Sequence, residues 1–264
     1  MKMKDYIRFG KCIWCGKEKP EVTFNNRPHT ITKQLGSNRI GVDICDLCNR
    51  YFGVRDSESK YQMPVELAFK EIFNVSRFLS PDSSGRIQGN IARLKSIYFE
   101  YYRSQKIFRI KSNFKFQKDF LKNFTRQFKR GVYEAFLQEF HLSTGRALED
   151  KFDGLRSFVR YDLGDVPLNF ADNNGIYLLP ENRDDVFFGF NDKEISRIDD
   201  YGFYNLWFFG HVLYLEVSPK SNLSRDIYLK NVSRQIGVPG FIYSGIKEMK
   251  YITDLDFSYR KLYK

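Results

Sequence analysis

The sequence predicts an α+β chain in three parts. A cysteine-braced module occupies residues 1–60, and a helical region over 61–150 is built on one long basic amphipathic helix. A β-rich domain of unassigned role fills 151–264. Three observations predict this. All four cysteines of the chain fall in two Cys-x-x-Cys pairs near the N-terminus. Phenylalanines recur at every fourth residue from 116 to 128. After residue 150 the apolar runs shorten and are punctuated by Gly, Pro, Asn and Asp.

The first part is argued from its cysteines. Cys12-Ile-Trp-Cys15 and Cys45-Asp-Leu-Cys48 leave no cysteine over, and His29 lies between the pairs. Two thiolates on one tight turn can both reach one ion ~2.3 Å away at tetrahedral angles. Two structural disulfides would use the same residues. The start of the chain, Met1-Lys-Met-Lys-Asp5, is charged and no apolar run follows it, so no signal peptide and a cytoplasmic, reducing location are expected. Disulfides are rare there, and a structural Zn2+ on Cys12, Cys15, Cys45 and Cys48 is the expectation.

In the second part Asp56–Lys60 reads as a loop. Pro64 fits the first position of a short buried helix carrying Val65, Leu67, Ala68, Phe69, Ile72 and Phe73. Ser80-Pro-Asp-Ser-Ser-Gly85 is a turn cluster, and Ile107–Phe116 reads as a strand or extended connector. The clearest helix spans about 117–142, with Phe116, Phe120, Phe124, Phe128, Val132, Phe136 and Phe140 as its core stripe and Gly145 as its C-cap. In the third part the short apolar runs are Leu155–Val159, Gly175–Leu179, Val186–Phe190, Leu206–Leu215 and Phe241–Tyr243. Asn173-Asn174-Gly175 marks a turn, and Phe203–Val217 reads as a hairpin reversing near Gly210.

Composition bounds the function. Hydrophobic residues make up 42% of the 264, enough for a globular core, and no apolar run is long enough to span a membrane. The formal charge is +11, which points first to nucleic acid as partner; a basic surface without a specific partner is the plainer reading. The bases cluster at Arg103, Lys106, Arg109, Lys111, Lys115, Lys118, Lys122, Arg126, Lys129 and Arg130, while residues 181–200 are acidic. The basic face of the long helix is either a phosphate track or a solvated face. No Gly-x-Gly-x-x-Gly, Walker-type or Gly-x-Ser-x-Gly sequence is present, which argues against ATP use and a hydrolase elbow. His141 and His211 read as structural, the former as a capping or half-buried residue.

Written out, the module runs Cys12-Ile-Trp-Cys-Gly16, Pro28-His29-Thr-Ile31, Leu35-Gly36-Ser37-Asn38 and Asp43-Ile-Cys45-Asp-Leu-Cys-Asn49-Arg-Tyr-Phe-Gly53. Over residues 9–55 it resembles the zinc-braced HNH endonucleases. Lys129–Ala135 and Arg156–Arg160 more weakly resemble the region that often follows such modules. The resemblance implies a ββα-metal fold and cleavage of DNA by a divalent cation such as Mg2+. His29 on a β-hairpin would be the general base. Asn49, on the helix after the second knuckle, would hold the catalytic ion, and Asn38 would steady the loop. Modules of this kind are often found in restriction or phage defence.

Two positions depart from the pattern. Thr32 stands where relatives often carry Pro, and Pro28 stands where many carry the Asp or Glu that is a second ligand of the ion. Proline cannot ligate. Either another residue such as Asp43 or Asp46 serves, or the ion is weakly held, or catalysis is lost. In the last case the chain is an inactive zinc-braced nucleic-acid-binding or interaction protein. The β-rich domain could read sequence, recognise modified DNA, sense a ligand or form a homodimer.

Overall fold

A computed structural model of the protein describes residues 6–54, 61, 63–79, 94–102, 104–172, 188–236 and 245–260. The expected loop at 56–60 and turns at 80–85 and 173–175 lie outside these residues. So do the apolar runs at 175–179 and 241–243, most of the acidic stretch at 181–187, and Arg103.

The aromatic stripe forms the longest element, α3 (Lys118–Thr144), which ends where Gly145 takes the left-handed conformation at φ 78° and returns its N–H to His141 O at 2.8 Å. The helix is amphipathic only over its first turns, where Lys118 and Lys122 are exposed. From Phe124 to His141 it is buried almost all round, with Lys129, Arg130, Glu134, Glu139 and His141 inside alongside Phe128, Val132, Phe136 and Phe140. Five charged or titratable residues on a buried helix differ from the one-sided basic face expected, because structure packs on every side of it.

One neighbour is α2 (Val65–Leu79), the predicted apolar helix following Pro64. The two cross at Gly131, where a Cβ would stand 2.6 Å from Phe69 Cβ and 3.0 Å from Val65 O, so only glycine allows this approach. Another neighbour is α4 (Asp153–Tyr161). The run Leu155–Val159, expected among the β-rich segments, lies inside this helix. Its buried residues Leu155, Phe158 and Val159 are spaced three and four apart, the helical period.

Strands β1 (Phe99–Tyr102) and β2 (Ile107–Ile110) form an antiparallel hairpin, which makes the 107–116 segment a strand at its start. Beyond α4 come β3 (Leu168–Asp172), α5 (Asp192–Tyr201), β4 (Phe203–Phe208), β5 (His211–Glu216), α6 (Lys220–Ile236) and β6 (Gly245–Glu248). The four strands make one antiparallel sheet in the order β4-β5-β3-β6. The predicted hairpin reverses at Phe209-Gly210, both with positive φ (45° and 75°), the backbone signature of the tight turn that matches strand twist. Strand β5 is buried at all six positions because both faces of the sheet are covered. On one face Leu206, Leu213 and Leu215 join the main core; on the other Phe203 and Tyr214 pack with Tyr228 of α6. Three helices share this C-terminal region with the strands, so it is mixed rather than β-rich.

A single contiguous cluster of buried side chains runs from Trp14 and Phe52 of the cysteine module through α2 and α3 to the sheet and Tyr259. Among the described residues no helix is long and apolar enough to cross a membrane.

Gly131→Ala tests the helix crossing. Alanine favours an isolated helix by about 1 kcal/mol, but overpacking against a Cβ and a backbone carbonyl costs about 1–3 kcal/mol. The expected net effect is destabilisation, read as a lowered denaturant midpoint at unchanged m.

Candidate metal centre and the hairpin beside it

Residues 12–16 and 45–48 form two tight turns facing one another. Lys17 O accepts from Cys12 N, and Cys12 O from Gly16 N, while Cys45 caps α1 (Asp46–Gly53), its sulfur accepting from Cys48 N. The four sulfurs all lie within 4.8 Å of one another, and Cys15 Sγ stands 3.7 Å from Cys45 Sγ. Four thiolates at ~2.3 Å from one ion in a tetrahedron stand about 3.8 Å apart, so the cluster can hold a metal ion such as zinc. The sulfurs also bias each other's protons. Hydrogen bonding from Cys12 first, then from Cys48, holds Cys45 down to about 7.

The surroundings suit negative sulfur. Arg160 Nε of α4 donates to Cys48 Sγ at 3.3 Å, and its guanidinium lies 4.0 Å from the centre of the Tyr51 ring. Tyr51 Oη in turn accepts from Arg130 at 2.6 Å. Arg160 lies 112 residues from Cys48 in sequence; the stretch 156–160 is legible there only as a companion of the module.

The segment between the knuckles folds back as a short hairpin. Thr30 N donates to Arg39 O at 3.3 Å, Gly41 N donates to Pro28 O at 2.9 Å, and His29 bridges Ile40. Between the two sides a turn of 3-10 helix at Lys33–Leu35 buries Leu35 and ends at left-handed Gly36. His29 is half-buried, and its Nδ1 is buried without a hydrogen-bond partner. Burial, then the charges of Lys33 and Arg27, lower its pKa from 6.5, which favours the neutral imidazole. Asn38 is exposed on the returning side of the same hairpin. Asn49 is half-buried on α1, and no side-chain hydrogen bond joins either asparagine to His29 among the described residues.

The two acids that might replace a ligand at position 28 are committed elsewhere. Asp43, held at φ 57°, accepts the backbone N–H groups of Arg8, Phe9 and Gly10, and its Oδ2 lies 2.9 Å from His141 Nε2. Burial alone would raise the Asp43 carboxyl, but these bonds outweigh it and the net shift is downward. His141 is thus fully buried as the partner of Asp43, not a half-exposed cap. Asp46 accepts Thr23 Oγ1 and the N–H groups of Asn25 and Asn26. Both carboxylates tie the module together. Glu139 of α3 adds a third tie, accepting Thr30 Oγ1 and lying 2.7 Å from Arg39 Nε.

The basic run divides. Arg126 pairs with Asp162 and Lys129 with Asp165, both at 2.6 Å, and Arg130 bonds Val159 O and Gln127. Lys111 bonds Ser96 O. Lys106, Arg109, Lys115, Lys118 and Lys122 remain exposed. His211 is buried beneath Tyr259, and burial pushes its pKa down to about 4.

Against known protein families, curated proteins and solved structures, the chain has no significant match.

Two outcomes follow from these ties. Purified protein is expected to carry one zinc per chain by elemental analysis, and Cys48→Ser or chelation to unfold the module, since metal binding in such small modules carries about 10 kcal/mol of folding free energy. Asp43→Asn should destabilise by about 3 kcal/mol by leaving its buried partners poorly matched. Because folding lowers the Asp43 pKa, its contribution is full above ~3.9 and lost as pH falls through the folded value. The stability gap between wild type and Asp43→Asn, measured by denaturation, therefore narrows below about pH 4.

Proposed function

We propose that this protein is a metal-dependent DNA endonuclease of the HNH type that hydrolyses phosphodiester bonds. The supporting observation is the arrangement of a closed four-cysteine cage, the short hairpin carrying His29 and helix α1 carrying Asn49 in consecutive order. In this reading the zinc is a frame. His29 takes a proton from the attacking water; its lowered pKa leaves it unprotonated at neutral pH, as a general base requires. The Asn49 amide oxygen holds a divalent cation such as Mg2+, which when bound supplies charge neutralisation at the scissile phosphate. Asn38 steadies the loop. Exposed Lys106, Arg109, Lys115, Lys118 and Lys122 offer the phosphate contacts. A cytoplasmic role in restriction or phage defence rests on the resemblance alone.

A specific observation favours a second reading. Pro28 is buried in the hairpin, and Asp43 and Asp46, the two acids beside the second knuckle, are consumed by structural bonds, so neither of them is free to serve beside His29. On that reading the chain binds nucleic acid through its zinc-braced module without cutting it.

Plasmid nicking in Mg2+ or Mn2+ decides between them. Cutting by wild type that falls about 10²–10⁴-fold in His29→Ala supports the nuclease. Salt-sensitive DNA binding without cutting, unchanged by His29→Ala, supports the binding module. If His29 is the base, activity rises with pH across its titration. Replacing Lys33 and Arg27 by alanine removes two charges that lower its pKa, so the acidic limb of the pH profile should move upward.

A further inference from the structure

Strands β1 and β2 form a hairpin with one anchored face and one open face. Side chains alternate across a strand, and residues opposite one another in the register share a face. Phe99 and Tyr101 therefore face inward with Ile110 and Phe108, while Glu100 and Tyr102 face outward with Arg109 and Ile107. The inner face is firmly held. Phe99 is fully buried, its ring centre 5.6 Å from that of Phe108 and 5.4 Å from that of Phe257, and Tyr101 lies 5.6 Å from Phe78. Lys111 closes the base, its N–H donating to Tyr98 O at 2.8 Å and its Nζ to Ser96 O at 2.7 Å.

The outer face is open. Tyr102 and Ile107 are each 39% exposed, and Arg109 and the tip Ser104-Gln105-Lys106 are exposed as well. Its charge is one-sided. Among the described residues Lys106, Arg109, Lys115, Lys118 and Lys122 form no ion pair, and from Leu94 to Asn123 the acids are Glu100 and Asp119 alone. The Arg109 guanidinium lies 4.9 Å from the centre of the Tyr102 ring on the neighbouring strand. That contact orients a planar fork of donors over the outer face, where the described residues leave it unspent.

We propose that the β1–β2 hairpin enters the major groove of duplex DNA, as a contact surface apart from the cysteine module. The choice of DNA as occupant rests on the nucleic-acid readings above; the groove contact itself does not need the nuclease. The dimensions fit. Four residues at ~3.3 Å each make strands of ~13 Å, and two strands ~5 Å apart make a ribbon that the ~12 Å major groove of B-DNA admits. The side chains suit base edges. Arg109 can donate two hydrogen bonds to guanine O6 and N7, and Tyr102 and Ile107 can meet thymine methyl groups. Lys106 at the tip, with Lys115, Lys118 and Lys122 further along the chain, is left for phosphates, which position the protein without reading sequence. The major groove of an RNA duplex is too deep and narrow for such a ribbon.

The test is fluorescence-anisotropy binding of the zinc-loaded full-length protein, without added Mg2+, to three probes. These are a short mixed-sequence DNA duplex, the same duplex methylated at guanine N7 in the major groove, and the RNA duplex of the same sequence. Wild type is compared with Arg109→Ala and Lys106→Asn, each checked for zinc content and circular dichroism. Both positions are exposed, and asparagine tolerates the φ of 53° at Lys106. Wild type is expected to bind the plain DNA duplex about tenfold more tightly than the methylated duplex or the RNA. Arg109→Ala should lose about tenfold on plain DNA and become indifferent to methylation, and Lys106→Asn should lower the salt slope by about one. No binding of duplex DNA by wild type, equal binding of all three probes, or binding unchanged in both variants would overturn the hairpin contact. The two readings fail separately. Methylation-sensitive, Arg109-dependent binding without nicking in Mg2+ removes the nuclease and keeps the hairpin, whereas nicking and binding that persist unchanged in both variants keep the nuclease and remove the hairpin.

Discussion

The structure depends on α3 being buried almost all round while carrying charged and polar residues along its length. A buried polar group left unpaired costs about 1–3 kcal/mol and a buried charge more, so each such residue must find a partner on whatever packs against it. Arg126 and Lys129 reach the loop after α4, Arg130 reaches Tyr51 of the cysteine module, and Tyr133 joins Pro167 O to Glu216 N of the sheet. Glu139 and His141 take the hairpin and Asp43. Each pairing fixes the position of a different element against one helix. The hydrophobic stripe supplies the driving force, and the polar residues decide the register.

The cysteine module shows why such register matters. Its own segment is short, and its regular structure amounts to a few hairpin bonds and the eight residues of α1. Too little apolar area is available to fold it alone. Three constraints act together: the cage joins the start of the segment to α1, Asp43 and Asp46 pin the flanking backbone, and Arg160, Glu139 and His141 dock the whole on the helices. Removing the metal would free the two knuckles from each other, and the other two sets of bonds would be lost with the fold of the module they hold. A metal held by the four cysteines would therefore set the angle between hairpin and helix, the quantity on which any joint action of His29 and Asn49 rests.

What could be read from the sequence was whatever has a short period or a fixed spacing. The Phe120–Phe140 repeat gave α3 with its Gly145 cap, Cys-x-x-Cys gave the cage, and the run through Gly210 gave the β4–β5 hairpin. Leu155–Val159 was misread because five residues hold less than two helical turns, too few to separate one period from another. The basic run misled for a different reason. Its charge is visible in sequence, but the acids that consume it, Asp162 and Asp165, lie 36 residues away and meet it only after folding. The same holds for Asp43 and His141, separated by 98 residues. Residue type announces a titratable group; only the tertiary structure says whether it is free.

That distinction bears most on catalysis. The module contains two acids close to its second knuckle, and either could have been taken as the missing ligand beside Pro28. Their hydrogen bonds argue otherwise: Asp43 accepts three backbone N–H groups and an imidazole, Asp46 two N–H groups and a hydroxyl, and a carboxylate so saturated has little left to offer an ion. Glu66 and Glu134 are the reverse case. Glu134 is enclosed and Glu66 half-buried near it, and among the described residues neither has an ion pair. A fold tolerates a buried carboxyl without an ion pair by keeping a proton on it, and burial with the charge of Glu66 pushes Glu134 in that direction. The protonated carboxyl still accepts the Gln138 amide N–H, so the helix interior stays satisfied at that point without a counter-charge.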